Sequence, residues 1–269
     1  MRAQALALLV VALAAAPGAS AGVKVFSLDQ CADQYVLALS PRAEIVGLSE
    51  RATNADSFLR AKAAGLPRRR ADLESILAAR PSVVVRYWGG DPRLSTTLAR
   101  WGVRTVTIAD AHDFSGVALD IRKVAAALGQ SARGEALIAR MDGELAQSRG
   151  AWRGEGALYL TSTGFTAGRN TLIDAMMRSA GLSNLASGRV GYGFVPLETL
   201  VRSPPAAFVE GFFDETVNGL EHWSEMRNPL IARMAARRTI VSLPGSILAC
   251  PAWFAADGTA KIANQARRR

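Results

Sequence analysis

The stretch "ADLESILAARPSVVVRYWGGDP", Ala71 to Pro92, decides the fold. Residues 72–80 read as a short helix, Pro81 breaks it, and residues 82–87 read as a buried strand. A run as apolar as Val83-Val84-Val85 suits a strand covered on both faces, as in a parallel sheet. Trp88 and the pair Gly89-Gly90 stand where that strand ends. Glu74 sits in the helix's first turn, where an acid favours the helix dipole.

Working outward, the same grammar repeats. "VKVFSL" reads as a strand, and "DQCADQYVLALS" as a helix with Asp29 placed to cap it. "EIVGLS" is the next strand. Beyond the opening stretch, "STTLARWG" is helical and "VRTVTIA" is a strand. Asp113 and Ser115 open a helical region that runs, with a break near Gly129-Gln130-Ser131, to about Gln147. "GALYLTS" restarts the strands, "NTLIDAMMRSAG" is a helix ending in a glycine cap, and "AAFVEGF" and "RTIVSL" are strands. Strands alternating with helices predict an α/β fold built on parallel sheets.

An internal echo divides the chain. "LESILAARPSVVV" at 73–85 recurs as "LETLVRSPPAAFV" at 197–209, so that Leu73 maps to Leu197, Glu74 to Glu198 and Pro81 to Pro205. Trp88 then falls opposite Phe212, and Gly89 opposite Phe213. "VRTVTI" echoes "RRTIVSL" in the same order. Two matches in one order predict two lobes of related design. "SARGEALIARMDGELAQSRG" lies between the two strand-rich blocks, either as the link between lobes or as one more helix packed on a sheet. Ligands of open α/β sheets bind beyond the carboxyl ends of the strands, so the aromatics at those ends should look into a cleft between the lobes.

Composition narrows the function classes. The chain has 269 residues, 49% of them hydrophobic and 20% charged, which describes an ordinary globular protein. The net charge of +9 invites nucleic-acid binding, but the arginines are scattered among acids and no zinc-finger spacing or basic heptad occurs. Met1-Arg2, the apolar run after it and Ala19-Ser20-Ala21 read as a secretory leader at residues 1–21 with cleavage after Ala21, so the mature protein is expected to be exported. No G-x-S-x-G, G-x-x-x-x-G-K-S/T or G-x-G-x-x-G pattern is present. His112 and His222 lack metal-ligand spacing, and His112 reads as a loop residue before the Asp113 cap. "STGFTAGRN" precedes a helix and could receive an anion. The competing class is therefore an exported, hydrolase-like α/β enzyme using the cleft. Cys31 and Cys250 are open to three readings: a disulfide, two separate thiols, or two ligands in one cleft.

Taken in order, "VFSLDQCADQYVLAL", "DLESILAARPSVVVRYWGG", "GRNTLIDAMMRSAGLSNLA", "VPLETLVRSPPAAFV" and "RTIVSLPGSILACP" resemble the periplasmic solute-binding proteins of ABC importers for cobalamin, ferric siderophores or haem. The resemblance runs from about Val23 to the end. It implies two parallel-sheet α/β lobes, 22–128 and 151–269, joined by a single long helix within 129–150, with the ligand groove between them. It also implies a monomer with no catalytic residues, no resident metal and no cofactor, whose ligand is a metal chelate, cobalamin or a ferric siderophore. The partners implied are a membrane permease and its ATPase, with no nucleic acid. In the family, one glutamate on each lobe docks onto permease arginines, and the matching positions are Glu74 and Glu198.

For the groove, the residues point first to Trp88, whose flat face suits a corrin, a porphyrin or a catecholate. Asp29, Gln30 and Cys31 stand where the first strand meets its helix. Gly89, with Gly90, would admit close backbone approach. Phe165 and Arg169 are expected in a strand-to-helix loop, with Tyr192 and the Phe212-Phe213 pair as further candidates. Arg86 or Arg169 would meet an anionic chelate. For each aromatic, ordinary packing at a strand end is the competing reading.

Overall fold

Arg80 takes the left-handed conformation, φ 48°, one residue before Pro81, and this ends the helix of the opening stretch and turns the chain into its strand. The computed structural model describes residues 22–161, 164–194, 200, 202, 204–211 and 238–268. The expected leader, Glu198, Phe212, Phe213 and His222 lie outside the described residues.

The first sheet holds β1 (Val25–Ser27), β2 (Ile45–Gly47), β3 (Val83–Tyr87) and β4 (Arg104–Ile108), all parallel, in the order β2-β1-β3-β4. Its helices are α1 (Gln30–Leu39), α2 (Arg60–Ala63), α3 (Leu73–Ala79), α4 (Pro92–Arg100) and α5 (Phe114–Ala127). Aspartates start most of them: Asp29, Asp72, Asp91 and Asp113 each accept a hydrogen bond from a first-turn amide of α1, α3, α4 and α5. Pro92 adds a preset first residue to α4.

The valine run is explained by the layers. Val84 packs with Phe26, Ile76 and Leu98 under α3 and α4, while Val83 and Val85 point to the other core with Tyr35 and Ile121 of α1 and α5. Alternation across Val83, Val84 and Val85 feeds both faces, so all three of these positions are apolar.

After α5 and a break at residues 128–130 comes α6 (Ser131–Ser148), which packs against α5. The second sheet holds β5 (Gly156–Thr161), β7 (Ser183–Asn184), β9 (Ala207–Gly211) and β10 (Thr239–Leu243), again parallel, in the order β10-β9-β5-β7. Read from the other edge, this is the second-first-third-fourth order of the first sheet. β3 corresponds to β9 and β4 to β10, as the sequence echoes predict, and the fold is two-lobed α/β.

One element was not expected. β6 (Phe165–Ala167) pairs antiparallel with β8 (Tyr192–Phe194), so part of "STGFTAGRN" is a strand rather than loop. α7 (Leu172–Ser179) follows it, capped by Thr171 and ended at Gly181, φ +88°.

The carboxyl end returns across the molecule. After α8 (Gly245–Leu248), Cys250 forms a disulfide with Cys31 of α1, with S–S 2.09 Å and Cα–Cα 5.3 Å. Tyr35 donates a 2.8 Å hydrogen bond to Pro251 O, its ring meets Trp253 edge-on, and Phe58 stacks on Phe254. α9 (Ala255–Ala266) then packs on α6 and α7, and Trp152 donates from Nε1 to Ile262 O at 2.8 Å.

Candidate binding cleft

The loops that follow β1, β2 and β3 emerge at one edge of the first sheet and line a cavity of about 810 Å³ with Leu248 and Ala249. Tyr87, Leu248 and Ala249 also line a second cavity of about 350 Å³, whose other walls include Asp110, His112, Asn170 and Tyr192. The two are compartments of one cleft, at the strand-end position where parallel sheets bind ligands.

Asp29, Gln30, Cys31, Arg86 and Trp88 all line the larger compartment. Asp29 is largely committed to the scaffold. One carboxylate oxygen accepts from the Ala32 amide at 2.9 Å, and the other from the Tyr87 amide at 2.7 Å, tying α1 to the end of β3. Gln30 is buried, and neither Oε1 nor Nε2 has a hydrogen-bond partner among the described residues. An amide in that state costs stability unless a ligand or solvent satisfies it. Cys31 contributes a disulfide sulfur, so neither a thiol nor a thiolate ligand exists there.

Arg86 is the unusual charge. It is only 6% exposed, and its guanidinium donates to Tyr87 O at 3.3 Å, Asp91 O at 3.0 Å and Ser95 Oγ at 3.3 Å. No described carboxylate pairs with it, whereas Arg51 on the same wall pairs with Asp56 at 3.2 Å. Trp88 stands beside it, 54% exposed, its ring edge-on to Tyr87.

The two glycines serve the scaffold. Gly89 has φ +85° with open space around it, so the turn requires it for its backbone angle. A Cβ on Gly90 would lie 2.1 Å from Arg86 Nη2, so the bare backbone makes room for the guanidinium. Gly90 lines the cavity and Gly89 does not.

From the second lobe, Tyr192 lines the smaller compartment. Phe165 and Arg169 line neither. Phe165 packs on Phe194 across the hairpin, with ring centroids 4.2 Å apart, and Arg169 donates to Ser187 O at 3.2 Å. Sequence reading passed over Tyr87 and Asp110. Both stand at or just beyond strand ends, the signal that singled out Trp88. The Tyr87 phenol donates to Asp110 Oδ1 at 2.6 Å, and burial, followed by this carboxylate, raises its pKa well above the usual phenol range.

Behind the cleft, Asp33 is fully buried. It accepts from Ser27 Oγ, from the Ser49 amide at 2.9 Å and from Ser49 Oγ at 2.6 Å, joining the ends of β1 and β2 to α1. Burial raises its pKa to about 6 despite these donors.

The sequence profile described as periplasmic binding protein matches residues 25–236. The chain belongs to the periplasmic binding protein family. It is the solute-binding component of an ABC importer. The family consists of transport binding proteins rather than enzymes, works in the periplasm, and partners a permease, its ATPase and a small-molecule ligand. No curated protein sequence matches this binding protein. Among solved structures, the periplasmic heme-binding protein RhuT of Roseiflexus sp. RS-1 is 26% identical, with TM-score 0.69 over 91% of this chain and 100% of that one. The periplasmic heme-binding protein HutB of Vibrio cholerae is 16% identical, with TM-score 0.73 over 90% of this chain and 98% of that one. An ABC-type Fe3+-hydroxamate transport system protein from Saccharomonospora viridis DSM 43017 is 17% identical, with TM-score 0.65 over 91% of this chain and 93% of that one. These last two likenesses concern the fold alone.

Proposed function

We propose that this binding protein captures an anionic iron chelate in the larger compartment of its cleft and delivers it to the permease. The observation that carries the reading is Arg86: a buried guanidinium with no carboxylate partner among the described residues, facing an 810 Å³ cavity beside an exposed tryptophan. A buried cation is costly unless paired, and an anionic ligand supplies the missing charge. Trp88 adds a flat apolar face, and the Gln30 amide adds a donor and an acceptor. The likeness to RhuT, a heme-binding protein, supports an iron cargo. Cobalamin, broad and without strong negative charge, makes less use of Arg86.

On this reading the chain is exported through a leader at residues 1–21 that is cleaved after Ala21, acts as a monomer and catalyses no reaction. Lobes 22–128 and 151–269 are linked through the helix within 129–150. Glu74 and Glu198 dock on permease arginines. Glu74 is exposed on α3, which begins beside Ala71 on the cavity wall, and it forms no ion pair among the described residues.

The test is ligand-induced thermal stabilisation of the mature protein with haemin, a ferric trihydroxamate, ferric citrate and cobalamin. An anionic iron chelate should raise the midpoint, and Arg86→Gln should weaken its binding by about 2–5 kcal/mol, roughly thirtyfold or more. Equal binding by Arg86→Gln refutes the anionic reading.

A further inference from the structure

Residues 48–71, between β2 and α3, concentrate positive charge. Arg51, Arg60, Lys62, Arg68, Arg69 and Arg70 stand there against Glu50 and Asp56, an excess of four out of the chain's +9. The fold gathers them. Leu48 N donates to Pro67 O and Arg69 N to Leu48 O, both at 2.8 Å, which lays residues 67–70 alongside the exit of β2. Four arginine head groups then surround one turn, residues 50–56. Arg51 reaches Asp56 at 3.2 Å, Arg60 donates to Ala55 O at 3.1 Å, Arg68 donates to Thr53 Oγ1 at 2.9 Å, and Arg70 lies 3.9 Å from Glu50. All four arginines are exposed.

These contacts fix the cations without neutralising most of them. Carbonyl and hydroxyl oxygens carry no net charge, and among the described residues no carboxylate pairs with Arg60, Arg68 or Arg69. The Arg70–Glu50 contact is long and open to water on both sides, so it is screened. Arg60, Arg68 and Arg70 line neither compartment of the cleft. β2 is an edge strand, so the patch stands at the margin of its lobe, and Asp72 and Glu74 at the start of α3 mark its border.

We propose that this patch holds the protein on an anionic phospholipid surface, the leaflet in which its permease is embedded. Exposed guanidinium groups spread around a turn, outside the cleft, match many separate phosphates rather than one enclosed anion. The association is electrostatic, weak and reversed by salt. It shortens the search for the permease by confining the binding protein to the membrane plane. It goes beyond cargo capture and does not depend on it.

Flotation of the full mature protein with vesicles tests this, without cargo and at low and high salt. Phosphatidylcholine alone is compared with phosphatidylcholine containing phosphatidylglycerol. Binding is expected only to the phosphatidylglycerol vesicles, and it should fall away at high salt. Arg60→Gln, Arg68→Gln and Arg70→Gln should each weaken it by roughly fivefold, and the triple variant by roughly 100-fold. A control triple, Arg149→Gln/Arg153→Gln/Arg268→Gln, removes the same charge from exposed positions at and beyond the end of α6, and should bind nearly as well as the parent. Arg60→Lys/Arg68→Lys/Arg70→Lys keeps the charge and gives a second reading if the glutamine triple fails to fold: it should still float with the vesicles. Loss of binding in the folded lysine triple, or equal loss in the two glutamine triples, overturns the patch. So does absence of binding to phosphatidylglycerol vesicles, or salt-resistant binding to phosphatidylcholine alone. Binding to soluble polyglutamate but not to vesicles overturns the lipid assignment in favour of an acidic protein partner. Each of these outcomes leaves the anionic-chelate reading standing, because that reading is tested in vesicle-free solution.

Discussion

Breaking the Cys31–Cys250 bridge should lower stability chiefly by releasing the unfolded chain. The cysteines are 219 residues apart. Loop-closure entropy for that span amounts to about 5 kcal/mol at 25 °C, and native disulfides typically deliver about 2–5 kcal/mol. The folded state should change little, because the Tyr35–Pro251 hydrogen bond and the Tyr35–Trp253 and Phe58–Phe254 contacts still hold the returning segment on α1. For a protein of this size, such a loss lowers the melting midpoint by roughly 4–20 °C. Denaturant unfolding with and without reductant measures it, with alkylation and mass spectrometry counting free thiols. The Cys31→Ala/Cys250→Ala pair provides a second route. An unchanged midpoint in fully reduced protein would refute the reasoning, as would two alkylatable thiols in unreduced, unfolded protein.

Three other outcomes are expected. Asp33 keeps its proton in the folded state up to about pH 6, whereas the unfolded chain releases it near 3.8. Its contribution to stability is therefore full at acid pH and is lost as pH rises through that window, by about 1.4 kcal/mol for each pH unit crossed. Asp33→Asn should flatten urea stability between pH 4 and 6 relative to the parent, with a residual slope from Asp257, which burial beside Glu144 also raises to about 6; an unaltered slope counts against the assignment. Gly90→Ala should displace the Arg86 guanidinium and weaken anionic-ligand binding while the fold persists, which calorimetric titration would show; unchanged affinity would mean the guanidinium does not meet the ligand. Charge reversal at Glu74 and Glu198 should abolish uptake into cells and leave solution affinity intact, and normal uptake would remove them from the docking surface.

Trp88 and Arg86 were legible in the sequence because a strand end in an α/β sheet is a known place for ligands, and the strand was plain from its valines. Tyr87 and Asp110 obeyed the same rule but carried no distinguishing composition. Phe165 and Arg169 were read as loop residues because a three-residue strand has too little periodicity to register. Once residues 165–167 pair with residues 192–194, neither side chain lines a cavity. The glycines were read as admitting close backbone approach to a ligand, whereas the structure requires Gly89 for its backbone angle and Gly90 for room beside the Arg86 head group.

By itself, the sequence determined the alternation of strands and helices, the duplicated helix-proline-strand unit and hence the two-lobed α/β plan, because these rest on local periodicity and on residues such as Pro81 whose effect is local. Only the tertiary structure decided that Cys31 meets Cys250, that Arg86 is buried with no carboxylate partner among the described residues, and that Tyr87, Asp110 and Tyr192 share a compartment. Those are relations between residues far apart in the chain, and their distances are set by how the lobes and the returning carboxyl segment pack.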